Sequence, residues 1–183
     1  VAEILAETAR LVLRRELPGD RETWIAEINT ADTMAHLGGP KTIEAIQKDF
    51  DRMAGDSALP WLLVGLKPTD ALIGKCGLGP IDTNAAPEQL RGQVQVGWTI
   101  GADHWRRGYG LEAAAAMLDL AFGRYALTTV YAQTSERNLA SYRLMERLGM
   151  TRRAELDYFD PDFSPEDNPT IIYAIKREEW LSR

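Results

Sequence analysis

The sequence predicts an α+β (α/β three-layer) fold, a mixed sheet covered by helices. Three observations predict it. Period-two runs such as "QVQVGWTI" (93–100) share the chain with helical stripes. The early strands follow one another as a meander, whereas the later ones alternate with helices. No linker, repeat or low-complexity tract divides residues 1–183, so they read as one domain.

Each element follows from local pattern. "ARLVLRR" (9–15) sets Leu11 and Leu13 against Arg10, Val12 and Arg14, a strand. Pro18 and Asp20 open a short helix carrying Trp24, Ile25 and Ile28. "LGGP" (37–40) breaks the chain, and Thr42 caps a second helix with Ile43, Ile46, Phe50 and Met53 on one stripe. "WLLVGL" (61–66) and "LIGKCGL" (72–78), joined by "KPTDA", form a hairpin. Residues 79–92 are a polar loop, and 93–100 form the next strand. A helix starts at about Gly110, with apolar positions at 111, 114, 115, 118, 122 and 125. "TTVYAQT" (128–134) is a β-branched strand. Ser135 opens the following helix and Gly149 closes it. "TRRAELDY" reads as a strand, "FDPDFSPEDNP" as a loop with three prolines, and 170–177 as the last strand.

Composition bounds the function. Hydrophobic residues at 45% and charged residues at 26% are ordinary for a globular chain and argue against disorder. The single cysteine, Cys76, rules out an internal disulfide and a cysteine-based zinc cluster; two histidines and no suitably spaced carboxylates leave no metal site in view. That usage fits a reducing, cytoplasmic location. A net charge of −6 disfavours nonspecific nucleic-acid binding and favours cationic partners. No apolar run is long enough for a membrane span. The first residues lack the pattern of a signal peptide, and Val1 in place of Met suggests a processed start.

"HWRRGYGLEAAAAMLDLAF" (104–122) carries the chemistry. The first turn of a helix has unpaired N–H groups and a partial positive charge. Gly108 and Gly110 let a ligand approach that backbone, and Arg106 and Arg107 add charge beside it, which suits a phosphate or pyrophosphate. A tight turn with solvated arginines would use the same residues. A Walker loop requires GxxxxGK followed by Ser or Thr, which is absent. "GYGLEA" matches GxGxxA of the dinucleotide fingerprint, but "GADHW" intervenes after the strand and "TTVYAQT" ends without an acid.

A third kind of phosphate loop fits better. "VGWTIGADHWRRGYGLEAAAAMLDLAF", "VYAQTSERNLASYRLMERLGM" and "YAIKREEW" resemble the GNAT acyltransferases, and "TARLVLRRELPGD" and "MAHLGGPKT" resemble the branch that acetylates ribosomal-protein N-termini and related amines. The likeness spans nearly the whole chain and is most specific over 95–150. It implies the GNAT fold, a mixed, mostly antiparallel sheet of six to seven strands with about four helices, and acetyl-CoA as cofactor. It implies that Trp98, Thr99 and Ile100 line the gap holding pantetheine, where a backbone N–H stabilises charge developing on the thioester oxygen. It places the pyrophosphate over the N–H groups of Arg106, Arg107, Gly108, Tyr109, Gly110 and Leu111. Trp105 stands where many members have Gln or Arg, a change of little weight because main-chain donors bind the diphosphate.

By the same resemblance Asn138 contacts the coenzyme arm, and Ser141 or Tyr142 protonates the leaving thiolate. The three stand at i, i+3 and i+4 and share a helix face. Asn138 could instead support a helix start, Ser141 bond a carbonyl one turn back, and Tyr142 belong to the core. The glutamate that often serves as base in relatives corresponds to Gln95, whose amide cannot take a proton. Water, Asp82, Glu155 or Asp157 could substitute, or the amine could arrive neutral. His36 and His104 read as surface or loop residues. Cys76, Trp24, Trp61 and Trp180 read as packing.

The expected activity is acetyl-CoA-dependent acetylation of a small-molecule or peptide amine by direct attack on the thioester, in a monomer or homodimer without nucleic-acid or membrane partners. A catalytically weak acyl-CoA-binding or sensing module is the alternative. Acceptor choice falls to about 20–56 and 156–169, where Asp157, Asp160, Asp162, Glu166 and Asp167 favour a cationic amine.

Overall fold

The computed structural model describes residues 2–55 and 57–183. Its strands are β1 (Ile4–Glu7), β2 (Leu11–Arg14), β3 (Trp61–Leu66), β4 (Ala71–Pro80), β5 (Val94–Ile100), β6 (Thr129–Ser135), β7 (Thr151–Arg152) and β8 (Thr170–Lys176). Its helices are α1 (Asp20–Thr23), α2 (Ile43–Ala54), α3 (Tyr109–Phe122), α4 (Leu139–Arg147) and α5 (Arg177–Leu181). Among the described residues the sheet has eight strands, in the order β1-β2-β3-β4-β5-β6-β8-β7, rather than six or seven. The added strand is β1: Ile4–Glu7 turns back at Thr8 and pairs antiparallel with β2. The short N-terminal stretch carries too little alternation to have announced it.

The described residues group into two compact units. One takes in the chain up to Gly77 together with Trp98–Met117; the other takes in Leu78–Gly97 and Leu118–Arg183. In the first unit β1, β2, β3 and β4 form an antiparallel meander. Trp24, Ile28, Ile46, Phe50, Leu63 and Leu72 form a core cluster on one face, with the Trp24 and Phe50 rings edge to face at 6.0 Å. α1 is brief because it widens into a π-helical turn, Trp24–Ile28, closed by Asn29 N–H on Trp24 O at 2.8 Å. Thr42 caps α2 as predicted, its hydroxyl accepting Ala45 N–H. Ile43 departs from the predicted stripe: it lies in the first turn, ahead of the cluster, and is exposed. Arg14 is buried, held by Asp20 (2.7 and 3.1 Å) and by Asp70 (2.9 and 3.0 Å).

In the second unit β6 and β8 pair antiparallel through seven residues each, and β7 continues on β8. Ile81, Ala86, Leu90, Leu156, Tyr158 and Ile172 pack together. The strand predicted for 151–158 stops at Arg152. Arg152 and Asp157 pair across a 3-10 turn at Ala154–Leu156, and the Asp157 carboxylate accepts Ile172 N–H in place of a ladder carbonyl. Ser135 does not open α4; it ends β6, opposite Thr170, and Asn138 caps the helix. Gly149, at φ 82°, closes α4 as predicted. Trp180 of α5 lies against Phe122 and donates to Asp119 at 2.8 Å.

α3 starts at Tyr109, one residue before the predicted position, and ends at Phe122 rather than reaching 125. Its apolar surface is wider than one stripe. Ala113, Ala114, Met117, Leu118, Ala121 and Phe122 are all buried, which small alanines allow.

Candidate active site

The bend ahead of α3 lies wholly in the first unit. Arg106 and Gly108 both adopt left-handed backbone, at φ 60° and 80°. Glu112 N–H on Gly108 O is the first bond that enters the helix from the bend. The N–H groups of Tyr109, Gly110 and Leu111 precede it and belong to the unpaired first turn. Arg106, Arg107 and Gly108 are exposed. Open donors, partial positive charge and two arginines coincide, so the bend fits a diphosphate.

A third arginine reaches the bend. Arg10, between β1 and β2, donates from Nη1 to Arg107 O at 2.9 Å, and its guanidinium lies 4.6 Å from the Tyr109 ring centre. Its Nε and backbone N–H both donate to Glu112, at 2.7 and 3.0 Å, and the Thr8 hydroxyl donates to the same carboxylate at 2.5 Å. Burial opposes ionisation of Glu112, but these bonds and the Arg10 charge prevail and hold the carboxyl below the usual range. The β1–β2 turn thus ties down the bend's backbone while Arg10 neutralises the acid in the helix's first turn. Sequence reading missed Thr8, Arg10 and Glu112, because the pair is 102 residues apart along the chain.

Trp98, Thr99 and Ile100, the end of β5, also lie in the first unit. Among the described residues, the parallel pairing of β5 with β6 comprises one register pair, Gln95↔Tyr131. On the other side β5 is held closely: a Cβ on Gly74 would stand 2.1 Å from Thr99 O. Trp105 is half exposed, and its indole N–H donates to Ile100 O at 2.7 Å, which fixes the turn between strand and bend. His104 sits in that turn, its Nδ1 shielded and without a hydrogen-bond partner among the described residues.

Asn138, Ser141 and Tyr142 lie in the second unit, at the start of α4. The helix-start reading of Asn138 holds: its side-chain oxygen accepts Ser141 N–H at 3.3 Å. Ser141 and Tyr142 are half-buried. Tyr142 lies near Tyr173, whose hydroxyl donates to Glu146 at 3.1 Å. Of the carboxylates considered as bases, Asp157 is engaged by Arg152 and Ile172 N–H, Glu155 by Arg153, and Asp82 is exposed. The acidic loop is partly neutralised as well: Glu166 pairs with Arg137, and Asp160 is buried and accepts Asp162 N–H.

Cys76 is fully buried, and burial pushes its thiol up to about 12, which removes it as a nucleophile. Among the described residues no cluster of His, Cys, Asp or Glu could hold a metal ion, and no helix is long and apolar enough to cross a membrane. A cavity of about 600 Å³ opens in the first unit between the C-terminal end of α2 and β3, with Phe50, Met53 and Trp61 in its wall beside Arg15 and Glu16.

The family model described as "Acetyltransferase (GNAT) domain" matches residues 10–151. A Bacillus licheniformis protein, named as the uncharacterized N-acetyltransferase p20, is 31% identical over 176 residues, which cover 93% of this chain and 96% of that one. Among solved structures, a GNAT-family acetyltransferase from Bacillus anthracis superposes with a TM-score of 0.73 at 25% identity, over 96% of this chain and 98% of the other. The spermidine N-acetyltransferase of Vibrio cholerae, solved with CoA and spermine, gives 0.74 at 17% identity, over 95% and 99%, a likeness of fold.

Proposed function

We propose, from the premise that the chain belongs to the GNAT acetyltransferase family, that it moves an acetyl group from acetyl-CoA to a primary amine by direct attack on the thioester. The family is one of acyltransferase enzymes; the donor, the acceptor and the residue roles are the proposal. It extends to a single catalytic domain, monomeric or homodimeric and cytoplasmic, in the branch that acetylates ribosomal-protein N-termini and related amines.

One observation carries it: the bend Arg106–Leu111, with unpaired first-turn N–H groups beneath two exposed arginines. Acetyl-CoA supplies the activated acyl group as a thioester. The chain's own residues do the rest. The N–H groups of Arg106, Arg107, Gly108, Tyr109, Gly110 and Leu111 grip the diphosphate, and Arg10 keeps their carbonyl side fixed. The backbone of Trp98, Thr99 and Ile100 offers donors to the pantetheine arm and to the oxygen on which charge develops. Asn138 contacts the arm, and the hydroxyl of Ser141 or Tyr142 delivers a proton to the departing sulfur.

The test combines calorimetry with free-thiol detection over peptide N-termini, polyamines and other primary amines. Saturable acetyl-CoA binding with thiol release is expected for at least one amine class. Gln95 favours a second reading, a weakly catalytic acyl-CoA-binding module, because its amide cannot serve as base. Tight binding with no turnover on any amine would select that reading. No binding at all would remove both.

A further inference from the structure

The cavity between the C-terminal end of α2 and β3 is used by none of the steps proposed above. Its volume of about 600 Å³ is that of a small-molecule site. Its apolar wall is held in place from behind. Phe50 and Leu63 are buried, and the Phe50 ring meets Trp24 edge to face at 6.0 Å and the Arg21 guanidinium at 5.4 Å. The Trp61 indole is seated on the β4 backbone, where a Cβ on Gly77 would stand 2.4 Å from it. Half-buried Met53 adds a side chain that adapts to the shape beside it. Two aromatic rings and a thioether suit a flat, bulky apolar group.

Glu3, Arg14, Arg15 and Glu16 also line the cavity, and they are not equally committed. Arg14 is enclosed by Asp20 and Asp70 and donates to Arg15 O at 3.0 Å. Glu16 accepts from Arg21 through both oxygens, at 2.6 and 3.0 Å. Arg15 and Glu3 have capacity to spare. Arg15 N–H donates to Glu3 O at 2.9 Å, which sets the two residues side by side. Their side chains are joined only loosely: Arg15 Nε lies 4.0 Å from the Glu3 carboxylate, the outer limit of an ion pair, and the Glu3 side chain is 67% exposed. Among the described residues the Arg15 guanidinium, a fork of several donors, makes one hydrogen bond, from Nη1 to Met53 O at 3.0 Å.

We propose that this cavity binds a free aromatic α-amino acid as its zwitterion. The ligand's carboxylate meets the Arg15 guanidinium, its ammonium meets the Glu3 carboxylate, and its ring lies against Trp61, Phe50 and Met53. The charge pattern selects a zwitterion over either ion alone. A simple carboxylate would meet Glu3 and the carbonyl end of α2, where Met53 and Ala54 line the same cavity. A simple ammonium would meet Arg15. Opposite charges on adjacent atoms of one ligand answer both, and the two fixed aromatic walls favour a ring over a small side chain. The seat lies wholly in the first unit, and its assignment does not depend on the acetyl-transfer steps.

The test is calorimetry on the wild type with L-phenylalanine and three analogues. L-phenylalaninamide lacks the carboxylate, 3-phenylpropionate lacks the ammonium, and L-alanine keeps both charges without the ring. Saturable binding of phenylalanine is expected, with each analogue weaker by about tenfold or more. Arg15→Gln and Glu3→Gln then locate the seat, with thermal melts as the check on folding. Arg15→Gln should weaken phenylalanine about tenfold or more and leave phenylalaninamide as it was, because that analogue has no carboxylate to lose. Glu3→Gln should weaken phenylalanine and leave 3-phenylpropionate as it was. Three results would each overturn the assignment: no saturable binding of phenylalanine, an analogue that binds as tightly as phenylalanine, or both variants binding phenylalanine at wild-type strength. Should a variant fail to fold, the analogue series on the wild type still decides. None of these readouts uses turnover, so a failure here leaves the transferase reading standing, and a protein that transfers no acetyl group can still pass.

Discussion

Gly108 marks the point where one side chain would change the bend proposed to hold the diphosphate. Its φ is 80°, and an added Cβ would stand 3.3 Å from Arg10 Nη2. Left-handed backbone costs an L-residue about 1–2 kcal/mol, so Gly108→Ala should weaken acetyl-CoA binding about tenfold in calorimetry. An unchanged Kd would move the grip elsewhere. Glu112 gives a pH test of the same bend. Its folded-state carboxyl lies below its unfolded value, so its contribution is complete above the unfolded value and is lost as pH falls through the folded one. Coenzyme affinity should therefore stay level into mild acid and drop only below the ordinary carboxylate range. Glu112→Gln should bind more weakly at neutral pH and lack the acid limb. An acid limb that survives in the variant would show that another group sets it. Lys75, which lies in β4 with its Nζ over the Trp24 and Trp61 rings, makes the opposite statement about stability. Its burial disfavours the charged form, so Lys75→Met should melt no lower than wild type at neutral pH.

At the scale of elements, α4 separates two roles that one residue could hold. Asn138 caps the helix, so Asn138→Ala should cost about 1 kcal/mol in urea unfolding, and Asn138→Ser, which keeps a capping oxygen, should restore most of it. If serine also restores the KM for acetyl-CoA, Asn138 is a cap alone; if KM stays high, the amide meets the coenzyme. The entrance to α1 depends on buried charge. Removing the negative charge of Asp20 leaves Arg14 underpaired, and Asp20→Asn should lower stability by about 3 kcal/mol in the same assay. These elements also show what sequence could convey. Strand alternation at 93–100, the Thr42 cap and the Gly149 stop are local signals, and each appears where its pattern put it. β1 was invisible because four residues with a register shift carry almost no period. The strand expected after Thr151 was cut short by an ion pair to Asp157 and by a bond to Ile172, a partner distant in sequence. The bend was legible because glycine and arginine advertise it. Thr8 and Arg10 were not, since their meaning lies in what the fold brings to them.

At the scale of the whole molecule, charge and local chemistry oppose one another. The chain carries 21 basic and 27 acidic residues, yet the bend at 106–111 gathers Arg10, Arg106 and Arg107. On the proposed reading, an anionic coenzyme would be held by short-range donors against a net-negative field, and a cationic amine would be drawn by that field. Salt should separate the two. Attraction between a cationic acceptor and the net charge is screened as ionic strength rises, so the KM for a polyamine should increase between low and physiological salt, while that for a neutral amine of similar size stays flat. Glu166 and Asp157 are already paired, so the effect belongs to the summed charge rather than to the acidic loop alone, and Glu166→Gln should leave the salt slope nearly intact. Bound acetyl-CoA should meanwhile raise the unfolding free energy by about 2.7 kcal/mol at 100 times its Kd, with NADH giving no such shift. If polyamine and neutral amine respond to salt alike, net charge does not choose the acceptor. That choice would then rest on contacts such as those in the Phe50–Met53–Trp61 cavity, where Arg15 and Glu16 oppose each other and leave no single sign to select a cation.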